Sequence, residues 1–238
     1  MLSQKYNCLF VHIPKTAGQS VEHVFLALSG LTRRTRASLL LRPNDDPDLG
    51  PPKLAHLKAS EYVSCGYITS EEFDAYFKFS FVRNPWDRIV SEYRFRRHPR
   101  RFDFKTYLFE HLPKPGSKHH LHTMPQHEFL FDAEDNCLVD FVGRFECLQE
   151  DFDKVCSHLS VQQALLPHLN RSRTHNNRGR RAKGYIRRLI EYRRERANSF
   201  DHYTEYYDEE SRDFVAQMYE KDIEIFKYEF GKTNISER

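Results

Sequence analysis

Short apolar runs alternate with amphipathic segments along this chain of 238 residues. Runs of strand length occupy residues 7–13, 78–82 and 138–145. Apolar residues at helical spacing mark residues 21–28, 69–76, 85–97, 150–159 and 208–226. Residues 54–78 are expected to hold one further short strand, and residues 30–53 are expected to be irregular. This alternation predicts an α/β fold whose central, mostly parallel sheet is flanked by helices on both faces.

Length and composition narrow the class of protein. A chain of this length suits one domain spanning residues 1–238. The 37 Lys and Arg residues nearly balance the 34 Asp and Glu residues, and this total charge of +3 does not mark a nucleic-acid binder. The five cysteines are odd in number and show no CxxC spacing, which favours buried thiols over a zinc ribbon or a disulfide scaffold.

The beginning of the chain bears on location. No signal peptide or membrane anchor is visible, because the first predicted strand already begins at residue 7. We therefore expect no membrane span and a cytoplasmic location, or the Golgi lumen if the chain is a piece of a longer protein. The oligomeric state is not visible in the sequence.

The loop between the first strand and the first helix has the composition of an anion site. The backbone N–H groups and the positive end of a helix converge in such a loop. Lys15 adds a positive charge, Ala17 and Gly18 allow close approach to the backbone, and Thr16 and Ser20 offer hydroxyl donors. The GxxxxGK[ST] pattern is absent, so the loop is not a Walker A motif. An ordinary turn with a surface lysine is the alternative.

A second basic element stands where the second strand ends. Arg83 is followed by Asn84, a natural N-cap, and by Pro85, a natural first helical residue. Ser91 lies two helical turns further on, and an arginine with a hydroxyl suits a phosphate. Taken alone, Arg83 could equally pair with a local carboxylate. Taken together, the two elements suit a nucleotide that is charged at both its 3' and 5' positions.

At this point the sequence resembles the carbohydrate sulfotransferases, in particular the broad group that includes heparan 2-O- and chondroitin-type enzymes and bacterial relatives. Residues 13–20 (IPKTAGQS) are similar to the 5'-phosphosulfate loop of that family, and residues 82–93 (VRNPWDRIVSEY) to its 3'-phosphate element. Three further stretches fit in the same order, at residues 140–152, 166–170 and 219–228. The resemblance extends over about residues 9–230.

The resemblance implies a P-loop-like three-layer fold and sulfuryl transfer from 3'-phosphoadenosine 5'-phosphosulfate (PAPS) to a hydroxyl group. The product would be 3',5'-ADP, and no metal is implied. Arg83 and Ser91 would hold the 3'-phosphate. The 5' end would be held by Lys15, Thr16, Ala17, Gly18, Gln19 and Ser20.

The acceptor hydroxyl needs a base, for which histidine is the usual choice. His56 is the first candidate, because family members carry a histidine at this point; His12 is a lesser candidate. Both have the alternative of being buried structural residues.

The acceptor implied is a carbohydrate that can be anionic, and Gln126 and His127 are expected to line its cleft. The histidines at 119, 120, 122 and 127 are a weak metal pattern without carboxylates at ligand spacing. Residues 171–196 hold eleven Lys and Arg against two Glu, which suits a solvated face, a rim for a polyanion or, less well, nucleic acid.

Two other functions remain open on the sequence alone. The first is a non-catalytic nucleotide- or glycan-binding protein of the same fold. The second is a sulfotransferase for a non-sugar acceptor, because acceptor choice resides in variable loops. A kinase is disfavoured, since neither a Walker lysine nor a pattern of Mg²⁺ ligands is present.

Overall fold

The computed structural model describes residues 1–117, 119–167 and 185–232. Its four strands form one sheet in the order β1–β2–β3–β4. They are β1 (Leu2–Ser3), β2 (Cys8–Val11), β3 (Phe77–Val82) and β4 (Phe141–Arg144). β2, β3 and β4 run parallel, whereas β1 pairs antiparallel with β2. The predicted α/β class with a mostly parallel sheet is therefore confirmed, and β1 was missed because two residues carry no periodicity.

Helices occupy much of the remaining described chain. They are α1 (Gly18–Leu28), α2 (Glu61–Ser64), α3 (Ser70–Ala75), α4 (Pro85–Phe95), α5 (Phe104–Thr106), α6 (His127–Leu130), α7 (Leu148–His158), α8 (Tyr185–Ala197), α9 (Glu209–Met218) and α10 (Glu220–Phe226). A π-helical turn, Tyr107–His111, continues α5. Among the described residues, no helix has both the length and the apolar character needed to cross a membrane.

The helix starts follow from local chemistry. Thr69 and Glu72 form a capping box at the start of α3, with the Thr69 Oγ1 atom accepting from the Glu72 N–H at 3.1 Å. At the start of α4, the Asn84 Oδ1 atom accepts from the Trp86 N–H at 3.1 Å, and Pro85 occupies the first helical position. The N-cap predicted at Asn84 is confirmed.

Two predicted elements differ from the structure. Residues 54–68 contain no strand; they form a 3-10 turn, Leu54–His56, followed by α2, and their apolar side chains are buried without sheet pairing. The single helix predicted over 208–226 is divided into α9 and α10 at Tyr219, whose backbone angles are φ −118° and ψ 27°. The buried hydroxyl of Tyr219 donates to the Thr123 carbonyl oxygen, a tertiary contact that periodicity does not reveal.

Apolar side chains cover both faces of the central strands. On one face, Phe10 and Phe79 pack in the same cluster as residues of α1 and α7. The alternate positions, including Leu9 and Val11, are fully buried as well. This burial explains why β2 is a continuous apolar run rather than an alternating one. In β3 the phenylalanines alternate with Lys78 and Ser80, which are buried as well.

The chain divides into two compact units. Among the described residues, the first comprises 1–83 and 124–167 and includes the whole sheet, α1 to α3, α6 and α7. The second comprises 84–117, 119–123 and 185–232, which are helical. The single domain expected from chain length stays a prediction.

Candidate functional site

The carboxyl ends of β2 and β3 lie at the same edge of the sheet, because these strands are parallel. Val11 stands opposite Ser80, and Val82 stands opposite Arg144 of β4. The segments that follow β2, β3 and β4 therefore leave the sheet at one edge. In open α/β sheets this edge is where ligands bind.

The loop from β2 to α1 has unusual backbone geometry. Lys15 and Ala17 adopt left-handed conformations, with φ values of 75° and 66°. Each costs a non-glycine residue roughly 1 kcal/mol, and such conformations concentrate at functional sites. Left-handed residues in such a loop can turn backbone N–H groups toward one point, as they do in anion-binding concavities. Ala17 is also the N-cap of α1 and supplies no side-chain cap.

The hydroxyl groups in this loop are used within the protein. The buried Thr16 hydroxyl donates to the Ile13 carbonyl oxygen at 2.9 Å, and the Ser20 hydroxyl donates to the Pro167 carbonyl oxygen at 2.7 Å. These contacts hold the loop in shape, and direct phosphate contact by either hydroxyl stays a prediction. Gln19 is exposed on the first turn of α1.

Gly18 is packed against the ring of His12. A Cβ atom at position 18 would lie 2.1 Å from Cδ2 and 2.2 Å from Nε2 of His12. The structure therefore gives glycine at this position a reason other than the predicted close approach of a phosphate. The His12 ring already fills the space where a side chain would begin.

Gly18→Ala is expected to destabilise the protein by about 1–3 kcal/mol, since overpacking a filled site forces neighbours to move. Urea unfolding measures the change. In a His12→Ala background the ring is gone, so the same Gly18→Ala change should then cost little. An undiminished cost in that background would contradict the assignment to His12.

His12 is also paired with Glu22 of α1. The Nδ1 atom of His12 lies 2.6 Å from Oε1 of Glu22, and both side chains are buried. Burial alone would raise the pKa of the Glu22 carboxyl group, but the electrostatic interaction with His12 and the hydrogen bond between the two side chains hold that pKa below its ordinary value. The carboxylate is therefore ionised at neutral pH and fixes the His12 ring.

His56 lies at the end of the 3-10 turn Leu54–His56 and is 8% exposed. Its Nδ1 atom is 3.0 Å from the His12 carbonyl oxygen, and the two rings meet edge-on with centroids 4.7 Å apart. A carbonyl oxygen can only accept, so Nδ1 carries the proton. In the neutral ring Nε2 then has the lone pair, which is the state that a general base requires.

Arg83 directly follows β3 and reaches the loop. Its Nη1 group donates to the Lys15 carbonyl oxygen at 3.2 Å, and its guanidinium carbon lies 3.9 Å from the centre of the Phe145 ring. Lys15 is half-buried at this point. The structure thus brings together Lys15 and Arg83, the two basic residues that the sequence predicts for a nucleotide site.

The other predicted site residues have mixed positions. Gln126 is fully buried, and its amide bonds to the backbone of Arg83, so these contacts do not support the predicted role in contacting an acceptor. His127 is half-buried at the start of α6. Ser91 is half-buried on α4 in the second unit, and its part in nucleotide binding stays a prediction.

Sequence reasoning missed Glu22 and Phe145. Glu22 lies four residues after Gly18, on the helical face that a strand histidine can reach. Phe145 directly follows β4, just as Arg83 follows β3. The shared position at strand ends was the available signal for Phe145.

The histidine-rich segment, residues 119–127, and the basic segment, residues 171–196, add little to the candidate site. His122 lies 3.0 Å from the buried carboxylate of Glu92, to which Arg96 also donates, so this histidine belongs to a hydrogen-bonded network around Glu92. Within residues 1–117, 119–167 and 185–232, no group of three His, Cys, Asp or Glu side chains could hold a metal. Residues 168–184, with most of the basic stretch, lie outside the described residues.

Comparisons with known proteins agree with the resemblance. The model of the sulfotransferase family matches residues 1–229. An uncharacterized protein of Archaeoglobus fulgidus is 33% identical over 109 residues, covering 44% of this chain and 86% of its own length. Carbohydrate sulfotransferase 14 of Mus musculus is 24% identical over 190 residues, covering 65% of this chain and 45% of its own length. No solved structure matches significantly. Because the family model extends over nearly the whole chain, this protein belongs to the sulfotransferase family.

Proposed function

We propose that this protein transfers a sulfuryl group from PAPS to a hydroxyl group of a carbohydrate. The observation that carries the proposal is the meeting of Arg83 with the Lys15 loop at the carboxyl edge of the sheet, close to the paired His12 and His56. A P-loop-like three-layer arrangement agrees with the parallel strands and with their burial on both faces. The carbohydrate acceptor is supported by the mouse relative and by the family resemblance.

The donor set fits a doubly charged nucleotide. The left-handed residues of the loop and the ammonium group of Lys15 suit an anion at the start of α1. The guanidinium of Arg83, held on Phe145, suits a second phosphate. On the family resemblance alone, Ser91 is proposed as a further ligand of that phosphate. When bound, PAPS supplies the sulfuryl group and departs as 3',5'-ADP.

Each residue has one task in this mechanism. Lys15 and the loop N–H groups stabilise negative charge that develops on the oxygen between sulfur and the 5'-phosphate. His56 takes the proton of the attacking hydroxyl group at Nε2, while its Nδ1–H remains bonded to the His12 carbonyl oxygen. Glu22 holds the ring of His12, the residue that directly follows β2, and thereby fixes the start of the loop.

The proposal is tested with sulfur-labelled PAPS. The purified protein is incubated with neutral and anionic oligosaccharides, a simple phenol and a tyrosine-containing peptide, with a chelator present. We expect label on an oligosaccharide. Label on the phenol or the peptide alone would contradict the carbohydrate acceptor, and tight binding of 3',5'-ADP with no transfer to any acceptor would favour a non-catalytic binding protein.

A further inference from the structure

Arg83 lies just beyond the hydrogen-bonded part of β3. The last pair in the register with β4 joins Val82 to Arg144. The N–H and C=O groups of Arg83 bond instead to one side chain, that of Gln126. Its Oε1 atom accepts from the Arg83 N–H at 2.9 Å, and its Nε2 group donates to the Arg83 carbonyl oxygen at 2.8 Å. The amide therefore reproduces the donor and acceptor that a neighbouring strand would present.

The amide itself is well held. Gln126 is 0% exposed. Its backbone is held too, since its main-chain carbonyl oxygen accepts from the Phe129 N–H at 3.1 Å as α6 begins. Glutamine is suited to this position because one planar group carries both an acceptor and a donor. An ionised carboxylate would turn a second oxygen toward the Arg83 carbonyl oxygen and repel it.

The side chain of Arg83 is restrained as well. The guanidinium group stacks over Phe145 at 3.9 Å, a cation–π contact, and donates to the Lys15 carbonyl oxygen. Backbone and side chain are thus fixed by different neighbours. Preorganisation of this kind raises affinity, because less freedom is lost when a ligand binds.

We propose that Gln126 is a positioning residue for Arg83, and through Arg83 for the 3'-phosphate of the bound nucleotide. The inference rests on the proposed function, which gives Arg83 its phosphate. It gives Gln126 a role different from the expected acceptor contact, namely to hold Arg83 from a buried position in the first unit.

The test is Gln126→Glu, assayed by calorimetric binding of 3',5'-ADP between about pH 8 and pH 5. At the upper end the new carboxyl group is ionised, and we expect affinity about tenfold below that of the wild-type protein. As pH falls, a protonated carboxyl group regains the donor and acceptor of the amide, so the variant should approach the wild-type affinity. Gln126→Met removes both groups and should be weak at every pH.

Two comparisons separate positioning from a loss of structure. Binding of 5'-AMP, which has no 3'-phosphate, should be nearly unchanged in the Gln126 variants. In an Arg83→Ala background, Gln126→Met should cause no further loss of affinity for 3',5'-ADP.

Wild-type protein that fails to bind 3',5'-ADP would overturn the proposed function itself. Wild-type binding with equal affinity in Gln126→Met would overturn the positioning role alone. An equal loss for 5'-AMP and 3',5'-ADP in that variant would also overturn it, because the effect would then not pass through the 3'-phosphate. Gln126→Met adds no buried charge, so it keeps the test decisive if Gln126→Glu does not fold.

Discussion

Lys15→Ala is expected to reduce the rate of sulfuryl transfer by about 10²- to 10³-fold, the loss typical when one donor to a developing negative charge is removed. Lys15 follows β2 in the loop that opens α1, and its carbonyl oxygen accepts from Arg83. Alanine retains a Cβ atom, so the cost of the left-handed backbone at φ 75° remains the same. The loss should therefore appear in kcat with labelled PAPS, without a matching loss of stability.

Lys53→Ala is the matched control, because it removes the same charge from an exposed position of the same unit. It should transfer sulfuryl groups at the wild-type rate. Lys15→Arg distinguishes a general need for charge from a need for a compact ammonium group, since the two cations differ in shape. Full activity in Lys15→Ala would remove the loop from the mechanism.

His56→Asn is expected to lower kcat by about 10²- to 10⁴-fold while leaving the affinity for 3',5'-ADP unchanged, because the base acts on the acceptor and not on the nucleotide. The side-chain amide of asparagine can donate to the His12 carbonyl oxygen as Nδ1 does, but it offers no basic nitrogen. Folding should therefore survive. The acid limb in the pH profile of kcat/KM should disappear with the imidazole.

His23→Ala is the control for this change, since His23 is exposed on α1 in the same unit. It should keep both the rate and the pH profile. Added imidazole should restore part of the activity of His56→Ala, in which the ring leaves space for it. Wild-type rates in His56→Asn would assign the base elsewhere, and His12 would be tested next.

The positions of Lys15 and Arg83 could be predicted because each depends on local order along the chain. In both cases consecutive residues form a strand, a short loop and the start of a helix, which local patterns can predict. The ends of parallel strands then lie at one edge of the sheet. The same local order predicted the N-cap at Asn84, which the structure confirms.

The hydrogen bonds from the Gln126 side chain to the backbone of Arg83 could not be predicted, because they join residues 43 positions apart. The residues next to Gln126 in the sequence do not indicate that its amide would bond to the backbone N–H and C=O groups of Arg83. The same holds for Tyr219, whose tertiary hydrogen bond coincides with the break between α9 and α10. Local patterns indicate which groups stand at the ends of strands, whereas the contacts that orient them arise only when distant segments pack.

The contact between Gly18 and His12 has a consequence for the evolution of the sequence at these two positions. The two positions share one small volume, so the size of the residue at one limits the size at the other. A lineage that lost the imidazole could acquire a side chain at position 18, whereas the reverse order would pass through an overpacked intermediate. Substitution at position 12 is therefore expected to precede substitution at position 18. Mutant libraries of this loop should vary the two positions together.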